Sequence, residues 1–379
     1  MKVLHVIPAI AERYGGPSVA LRGMARALVA SGLDVSVATT NADGRGVLDV
    51  PLGSPVNEDG VRIHYFGRSV PGEWKYSWTL ATWLARHIAE FDVVHVHALF
   101  SFSTMAGCRW SRRRRIPYVL RPLGTLGEWS LRQGSWKKRP YMALVERGHL
   151  DSASAIHVTS EAERDDIVRQ GFGEKAEVIP LGLSVPLGLP RRRNAGEPLR
   201  LVYLSRIHPK KNLPSLLEAV RFARRAGVPA TLAVAGSGDD GYVTEMQQLS
   251  RSLGLESAVT FLGAVHGEDK LSLLASSHAF VLPSFHENFG LAAVEAMGMG
   301  VPVILAEGVA VAADAQTANA GIVAGIEPTQ LANAIAEIAG NEERRFAMGG
   351  NARDLAGSSF SWNATASHLI ALYQRVARS

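Results

Sequence analysis

Two carboxylates and a set of backbone donors stand close together in one stretch, SFHENFGLAAVEAMGMG at residues 284–300. Glu287 precedes a helical pattern, and Glu295 falls about two turns inside it, at ~3.6 residues per turn. Between them, Asn288, Phe289, Gly290 and Leu291 bring backbone N–H groups to a helix start. Donors there lack an intrahelical partner and sit at the positive end of the helix dipole, which suits a phosphate. A carboxylate repels phosphate but accepts hydrogen bonds from hydroxyls. A diphosphate at the helix start, a sugar beside Glu287 and a ribose beside Glu295 would satisfy every group. A plain strand, turn and helix that happens to carry two glutamates fits the same spacing.

Further candidates stand where other strand-like runs end. After residues 199–205 comes a loop with Arg206, Lys210 and Lys211, whose planar fork and point charges neutralise phosphate oxygens. A solvated turn is the competing reading. After residues 2–8 come Gly15 and Gly16, which let a backbone approach a bulky anion closely. The full G-x-G-x-x-G fingerprint is absent, so no NAD site follows from the motif. His95 and His97 share one face of the strand at residues 92–97, but only His97 lies at its carboxyl end. His95 is expected to be a packed, hydrogen-bonded interior residue. The segment 121–129, RPLGTLGEW, also begins at a strand end and could line the same cleft, with Arg121 and Glu128 as an alternative surface ion pair.

The elements that must place these residues alternate. Strand-like runs fall at residues 2–8, 34–39, 61–66, 92–97, 117–121 and 155–159, with helical patterns between them, and the alternation restarts at residue 199. Such alternation predicts parallel sheets covered on both faces, which bind ligands at the carboxyl ends of their strands. The proline- and arginine-rich segment 186–198 reads as a linker. It divides a first domain at residues 1–185 from a second at 199–359, and a closing helix occupies 360–379. The small-residue loop at residues 306–320 has no reading from sequence.

A chain of 379 residues exceeds one average domain, and 47% hydrophobic with 20% charged residues supplies two ordinary soluble cores. Cys108, the single cysteine, excludes an intrachain disulfide and argues for a reducing compartment. The start is not a signal peptide, and no apolar run approaches the ~20 residues needed to span a bilayer. A cytoplasmic protein is expected. The net charge of +5 is concentrated in runs at residues 112–115, 137–139 and 191–193. No stacking motif or DNA-binding helix pair accompanies them, so nucleic acid is not expected. Anionic lipid headgroups and plain solvation remain as readings.

Taken in order, these motifs resemble the glycosyltransferases of family 4, retaining enzymes of the GT-B fold. The resemblance rests on the Glu287–Glu295 stretch, the basic loop Arg206 to Lys211, the Gly-Ser-Gly turn after Ala235, the Gly15-Gly16 loop and the DVVHVH strand. It implies an α/β chain of two Rossmann-like domains whose parallel sheets face across a cleft, with the closing helix crossing back to the first domain. It implies that Arg206 and Lys211 hold the donor diphosphate, assisted by the backbone of Asn288, Phe289, Gly290 and Leu291. Glu287 would bind hydroxyls of the transferred sugar, Glu295 the ribose hydroxyls, and His97 would contact the donor sugar near the reacting centre. Gly15 and Gly16 would let the first domain close over the diphosphate. The basic groups would stabilise the leaving diphosphate without a divalent metal or other cofactor.

The implied donor is a UDP- or GDP-sugar and the implied acceptor a glycan hydroxyl. The segment at Arg121 is similar to a subgroup of bacterial exopolysaccharide and O-antigen enzymes, which suggests a polyprenyl-diphosphate-linked acceptor and peripheral contact with an anionic membrane. Two departures stand out: Asn212 follows Lys211 where many relatives carry glycine, and residues 307–320 lack the usual glycine-proline-glutamate pattern. A nucleotide-sugar epimerase of similar fold, or a non-catalytic scaffold, are the alternatives.

Overall fold

The computed structural model describes residues 1–70, 72, 74–127, 130–131, 140–183, 186–194 and 196–378. Glu128 and the basic run 137–139 therefore lie outside the described residues. The chain divides into two compact units, residues 1–182 with 362–379 and residues 183–361.

The first unit carries β1 (Lys2–Ala9), β2 (Asp34–Thr40), a short hairpin of β3 (Ala42–Asp43) and β4 (Gly46–Val47), then β5 (Val56–Glu58) and β6 (Val61–Phe66). β7 (Val93–His97), β8 (Tyr118–Arg121), β9 (Ala155–Val158) and β10 (Ala176–Val178) complete it. The main sheet runs β10-β9-β8-β7-β1-β2-β6-β5. All neighbours are parallel except β5, which turns back antiparallel on β6. The strands read as continuous apolar runs because helices cover both faces, and Val3, Leu4, Val6, Val93, Val94 and Val96 are fully buried.

The helices of this unit start where their sequence allows. α1 (Gly16–Ala30) has Pro17 in its first turn, where a missing N–H costs nothing. Ser77 and Ser101 cap α2 (Trp78–His87) and α3 (Phe102–Arg114) through their hydroxyls, and α3 ends at Arg115 in the left-handed region. A π-helical turn at Met142–Glu146 leads into α4 (Arg147–Ser152), and Ser160 caps α5 (Glu161–Arg169).

The second unit has a six-stranded, wholly parallel sheet. Its strands are β11 (Leu199–Leu204), β12 (Ala230–Ala235), β13 (Val259–Gly263), β14 (Ala279–Leu282), β15 (Val303–Ala306) and β16 (Gly321–Ala324), in the order β13-β12-β11-β14-β15-β16. Counted along the unit this is 3-2-1-4-5-6, the doubly wound order, whose crevice opens where the order reverses, between β11 and β14. The crossover helices are α6 (Leu213–Arg225), α7 (Asp240–Ser252), α8 (Gly267–Ala275), α9 (Leu291–Gly298) and α10 (Ala312–Thr317). α11 (Pro328–Gly340) packs on α6, and α12 (Glu342–Ser359) packs on α9. Leu213, Leu216, Leu217 and Val220 form the buried stripe of α6, at the three-and-four spacing of one helix face.

The closing helix α13 (Trp362–Val376) belongs to the first unit, where its stripe Leu369, Leu372, Tyr373 and Val376 is buried. Thr365 donates its hydroxyl to the Pro180 carbonyl at 2.9 Å, and Tyr373 meets His95 Nδ1 at 2.7 Å.

Candidate active site

The reversal point of the second unit brings the sequence candidates together. The loop after β11 carries Arg206, Lys210 and Lys211, and the loop after β14 carries Glu287 to Gly290. Backbone bonds join these loops: Phe285 N–H donates to the Lys210 carbonyl at 3.1 Å. The loop after β15, unreadable from sequence, joins from the other side. Glu287 N–H donates to Gly308 O at 2.8 Å, and Ala310 N–H donates to Glu287 O at 3.0 Å. Gly308 has to be glycine, because a Cβ there would collide with the Phe285 carbonyl. On the far side of β11, a Cβ on Gly236 would collide with Ser205 O, so the Gly-Ser-Gly turn lets the Arg206 loop lie against β12. Four strand ends are thereby sewn into one rim.

The side chains differ in exposure. Arg206 is exposed, Lys210 half-buried and Lys211 buried. Lys211 Nζ pairs directly with the Glu287 carboxylate. Burial, then the charges of Lys210 and Arg206, pull the Lys211 ammonium below its usual range. Glu287 opposes that pull by stabilising the proton. Burial and Arg206 lower Lys210 to about 8. Three cations thus gather within reach of one another's fields, with Lys211 paired to a carboxylate, which favours further negative charge there. Asn212 follows in the left-handed region at φ 53°, a conformation asparagine tolerates, so the missing glycine after Lys211 is accommodated.

Gly290, at φ 94°, turns the chain into α9. Among the described residues, the N–H groups of Phe289, Gly290 and Leu291 donate to no backbone carbonyl outside the helix ladder. Phe289 itself is buried and packs edge-on against Phe360, so its backbone rather than its ring faces the loop chemistry. Glu295 is buried, and its carboxylate accepts from Lys270 Nζ of α8 at 2.8 Å. The two carboxylates therefore do not stand ready for hydroxyls alone: each meets a lysine as well. Lys270 escaped the sequence reading because nothing in the spacing of Lys270 and Glu295, on different helices, announces their meeting.

In the first unit the strand order reverses between β1 and β7. The loop after β1 leads to Gly15, at φ 65°, and to Gly16 at the start of α1. No atom of the chain lies within 4 Å of where a Cβ on either would stand, so these glycines leave open space rather than fill a packing need.

His97 lies at the end of β7, but its ring is fully buried, with Nε2 at 2.9 Å from His5 Nδ1. His95, His5 and His157 are equally buried on the same face. The register pairs His5 with His95, a meeting between strands that one sequence cannot show. His157 Nε2–H donates to Ile179 O at 2.9 Å, which leaves its Nδ1 as an acceptor towards His95 Nε2 at 3.4 Å. His95 Nδ1 then accepts from the Tyr373 hydroxyl. Burial lowers all four histidines, followed by their neighbours and Arg121, and His5 and His157 fall to about 3. Ring nitrogens of His5, His95 and His97 lie within 4.8 Å of one another, a spacing a metal could use. The adjacent Arg121 charge and the His5–His97 hydrogen bond both disfavour a cation there.

Comparison with known proteins agrees with this geometry. Residues 15–182 match a family described as "Glycosyl transferase 4-like domain", and residues 190–355 match "Glycosyl transferases group 1". The chain belongs to the family 4, group 1 glycosyltransferases. Among similar curated proteins, the D-inositol 3-phosphate glycosyltransferase of Corynebacterium kroppenstedtii is 29% identical over 310 residues, covering 76% of this chain and 68% of the relative. The protein of the same name from Corynebacterium urealyticum is 26% identical over 392 residues, covering 95% and 90%.

Solved structures share the fold. Anabaena HepE in complex with UDP and glucose superposes with a TM-score of 0.78 at 20% identity, covering 99% of this chain and all of that one. Sucrose-phosphate synthase from Thermosynechococcus elongatus superposes with a TM-score of 0.77 at 20% identity, covering 100% of both chains. This glycosyltransferase is thus a retaining enzyme that takes its sugar from a nucleotide sugar, with two α/β domains of the GT-B type. Among its described residues no helix is long and apolar enough to cross a membrane.

Proposed function

We propose that this enzyme moves a hexose from a UDP- or GDP-sugar to a hydroxyl of a glycan acceptor carried on a polyprenyl diphosphate. The second unit holds the donor and the first the acceptor. The observation that carries the donor half is the gathering of positive charge at the reversal point: Lys211, paired with Glu287, lies in the fields of Lys210 and Arg206, beside the Phe289, Gly290 and Leu291 amides, which among the described residues donate to no backbone carbonyl outside the helix ladder. The diphosphate binds there, and the same groups stabilise its growing charge as the bond to the sugar breaks.

Glu287, fixed through its backbone by the β15 loop, takes hydroxyls of the transferred sugar while Lys211 shares its carboxylate. Glu295 takes the ribose hydroxyls, oriented by Lys270. Asn288, Phe289, Gly290 and Leu291 supply backbone donors, and Gly15 and Gly16 leave room in the first unit for the acceptor or the diphosphate. His97 acts from beneath, as part of the packed floor at the carboxyl end of β7. The chemistry these residues supply calls for no divalent metal or other cofactor.

The acceptor half draws on the exposed arginines at residues 112–115 and on the exposed Trp78 and Leu144, basic and apolar groups of the first unit suited to an anionic membrane face on the cytoplasmic side. The test pairs donor and product. Thermal melting with UDP-, GDP- and ADP-sugars identifies the donor by a raised midpoint. Incubation with a short polyprenyl-diphosphate disaccharide then yields a lengthened glycan whose new linkage keeps the donor's anomeric configuration. Conversion of the donor without an acceptor would show an epimerase instead. Donor binding without any product across such acceptors would favour a scaffold.

A further inference from the structure

A guanidinium brings five N–H donors and a permanent charge, and burying one without acceptors is unfavourable. Arg121, at the carboxyl end of β8, is only 3% exposed. Among the described residues its side chain makes no hydrogen bond and no ion pair. The carboxylate whose field reaches it, Glu163, is engaged elsewhere. It accepts from Gly124 N–H at 2.7 Å, Thr159 N–H at 2.8 Å and the Thr159 hydroxyl at 3.0 Å. The other titratable groups facing Arg121 are His5, His95, His97 and His157, all held neutral, and the Tyr373 hydroxyl, held protonated by burial. Arg121 thus has charge and donors but, among the described residues, no direct counter-ion.

Of its three nitrogens only Nε is wholly closed off without a partner, so the two terminal nitrogens keep the side chain's small remaining solvent access, at the carboxyl edge of the sheet. The backbone around that edge is strained in the manner of ligand sites. Ala98, Phe100 and Leu123, none of them glycine, sit in the left-handed region at φ 74°, 55° and 60°. Buried Glu146 fixes the Phe100 amide at 2.5 Å.

We propose that Arg121 reads an oxyanion of the phosphate class through the open fork of its guanidinium. That anion is either a phosphate on the acceptor or the diphosphate of the donor, an assignment of sources that rests on the transferase reading above. An arginine fork matches two phosphate oxygens at once, which a lysine does not. Bound anion supplies the acceptors and the charge that the chain withholds from Arg121.

The test uses the whole protein, with Arg121→Met and Arg121→Lys, and calorimetry with UDP, myo-inositol 3-phosphate and uncharged myo-inositol. Arg121→Met removes no internal hydrogen bond, so it should melt no lower than the parent. At least tenfold weaker binding of myo-inositol 3-phosphate by Arg121→Met, with UDP unchanged, places the anion on the acceptor. At least tenfold weaker binding of UDP, with the inositol phosphate unaffected, places it on the donor. In either case Arg121→Lys should recover only part of the loss. Unchanged affinity for both phosphates in a folded Arg121→Met variant would overturn the assignment. No turnover is read, so a failure to find any sugar transfer would count against the proposed acceptor chemistry and leave this result interpretable.

Discussion

Lys211 and Lys270 give the two glutamates of the α9 loop different surroundings, and the difference is measurable. Lys211 lies between Glu287 and the proposed diphosphate, so Lys211→Ala removes a charge-assisted contact of about 1.5–3 kcal/mol. UDP affinity should fall roughly tenfold to a hundredfold. Calorimetry showing unchanged affinity would remove Lys211 from the donor site. Glu295 and Lys270 are coupled across two helices, with the carboxylate the more buried partner. Glu295→Gln and Lys270→Met should each destabilise the fold, and the double variant should lose less than their sum, with a coupling of about 0.5–3 kcal/mol. Strict additivity in urea unfolding would show that the pair contributes nothing. The carboxylates and the basic loop were legible in the sequence because each sits within a few positions of a strand end or helix start. Lys270 and His5 were not, since their partners lie on other elements and only the fold brings them together.

At the scale of elements, the site is a rim of loops held by backbone bonds. Gly308→Ala tests that rim, because the added methyl must push the β15 loop off the Phe285 carbonyl and strain the Glu287 N–H bond to Gly308. Crowding of this kind costs roughly 1–3 kcal/mol. Both the melting temperature and UDP affinity should drop; a variant that loses stability but binds UDP normally would show that the rim supports the fold and not the ligand. The alternation of strands and helices was readable because apolar runs and capping serines are local signals. The loop at residues 306–320 stayed silent for the opposite reason: its small residues work by close backbone approach to another loop, and closeness leaves no periodicity.

At the scale of the molecule, the two units should respond differently to acid. His5, His95, His97 and His157 are buried and neutral in the first unit, with His5 and His157 lowered to about 3, against an unfolded value near 6.5. Below pH 6.5 the unfolded chain therefore binds more protons than the folded one. The stability these residues confer is complete above pH 6.5 and is lost as the pH falls towards 3. His5 and His157 set that window, and His95 and His97 act in the same direction. The second unit has one deeply buried counterpart, His278, lowered to about 4. All seven tryptophans, at residues 74, 78, 83, 110, 129, 136 and 362, belong to the chain segments of the first unit. Tryptophan fluorescence should report unfolding between pH 6 and 4.5 while circular dichroism retains the second unit's share, and coincident transitions would refute the difference.

That first unit is also discontinuous, since its last helix follows the whole of the second unit in the chain. On the ribosome, the partner of His95 therefore emerges some 190 residues after Gly182, the last residue of the first segment. The histidine-lined face must wait, uncovered, while the second unit is made and folds. A nascent chain of this enzyme is then most exposed to chaperones and proteases at the moment its second unit is already complete.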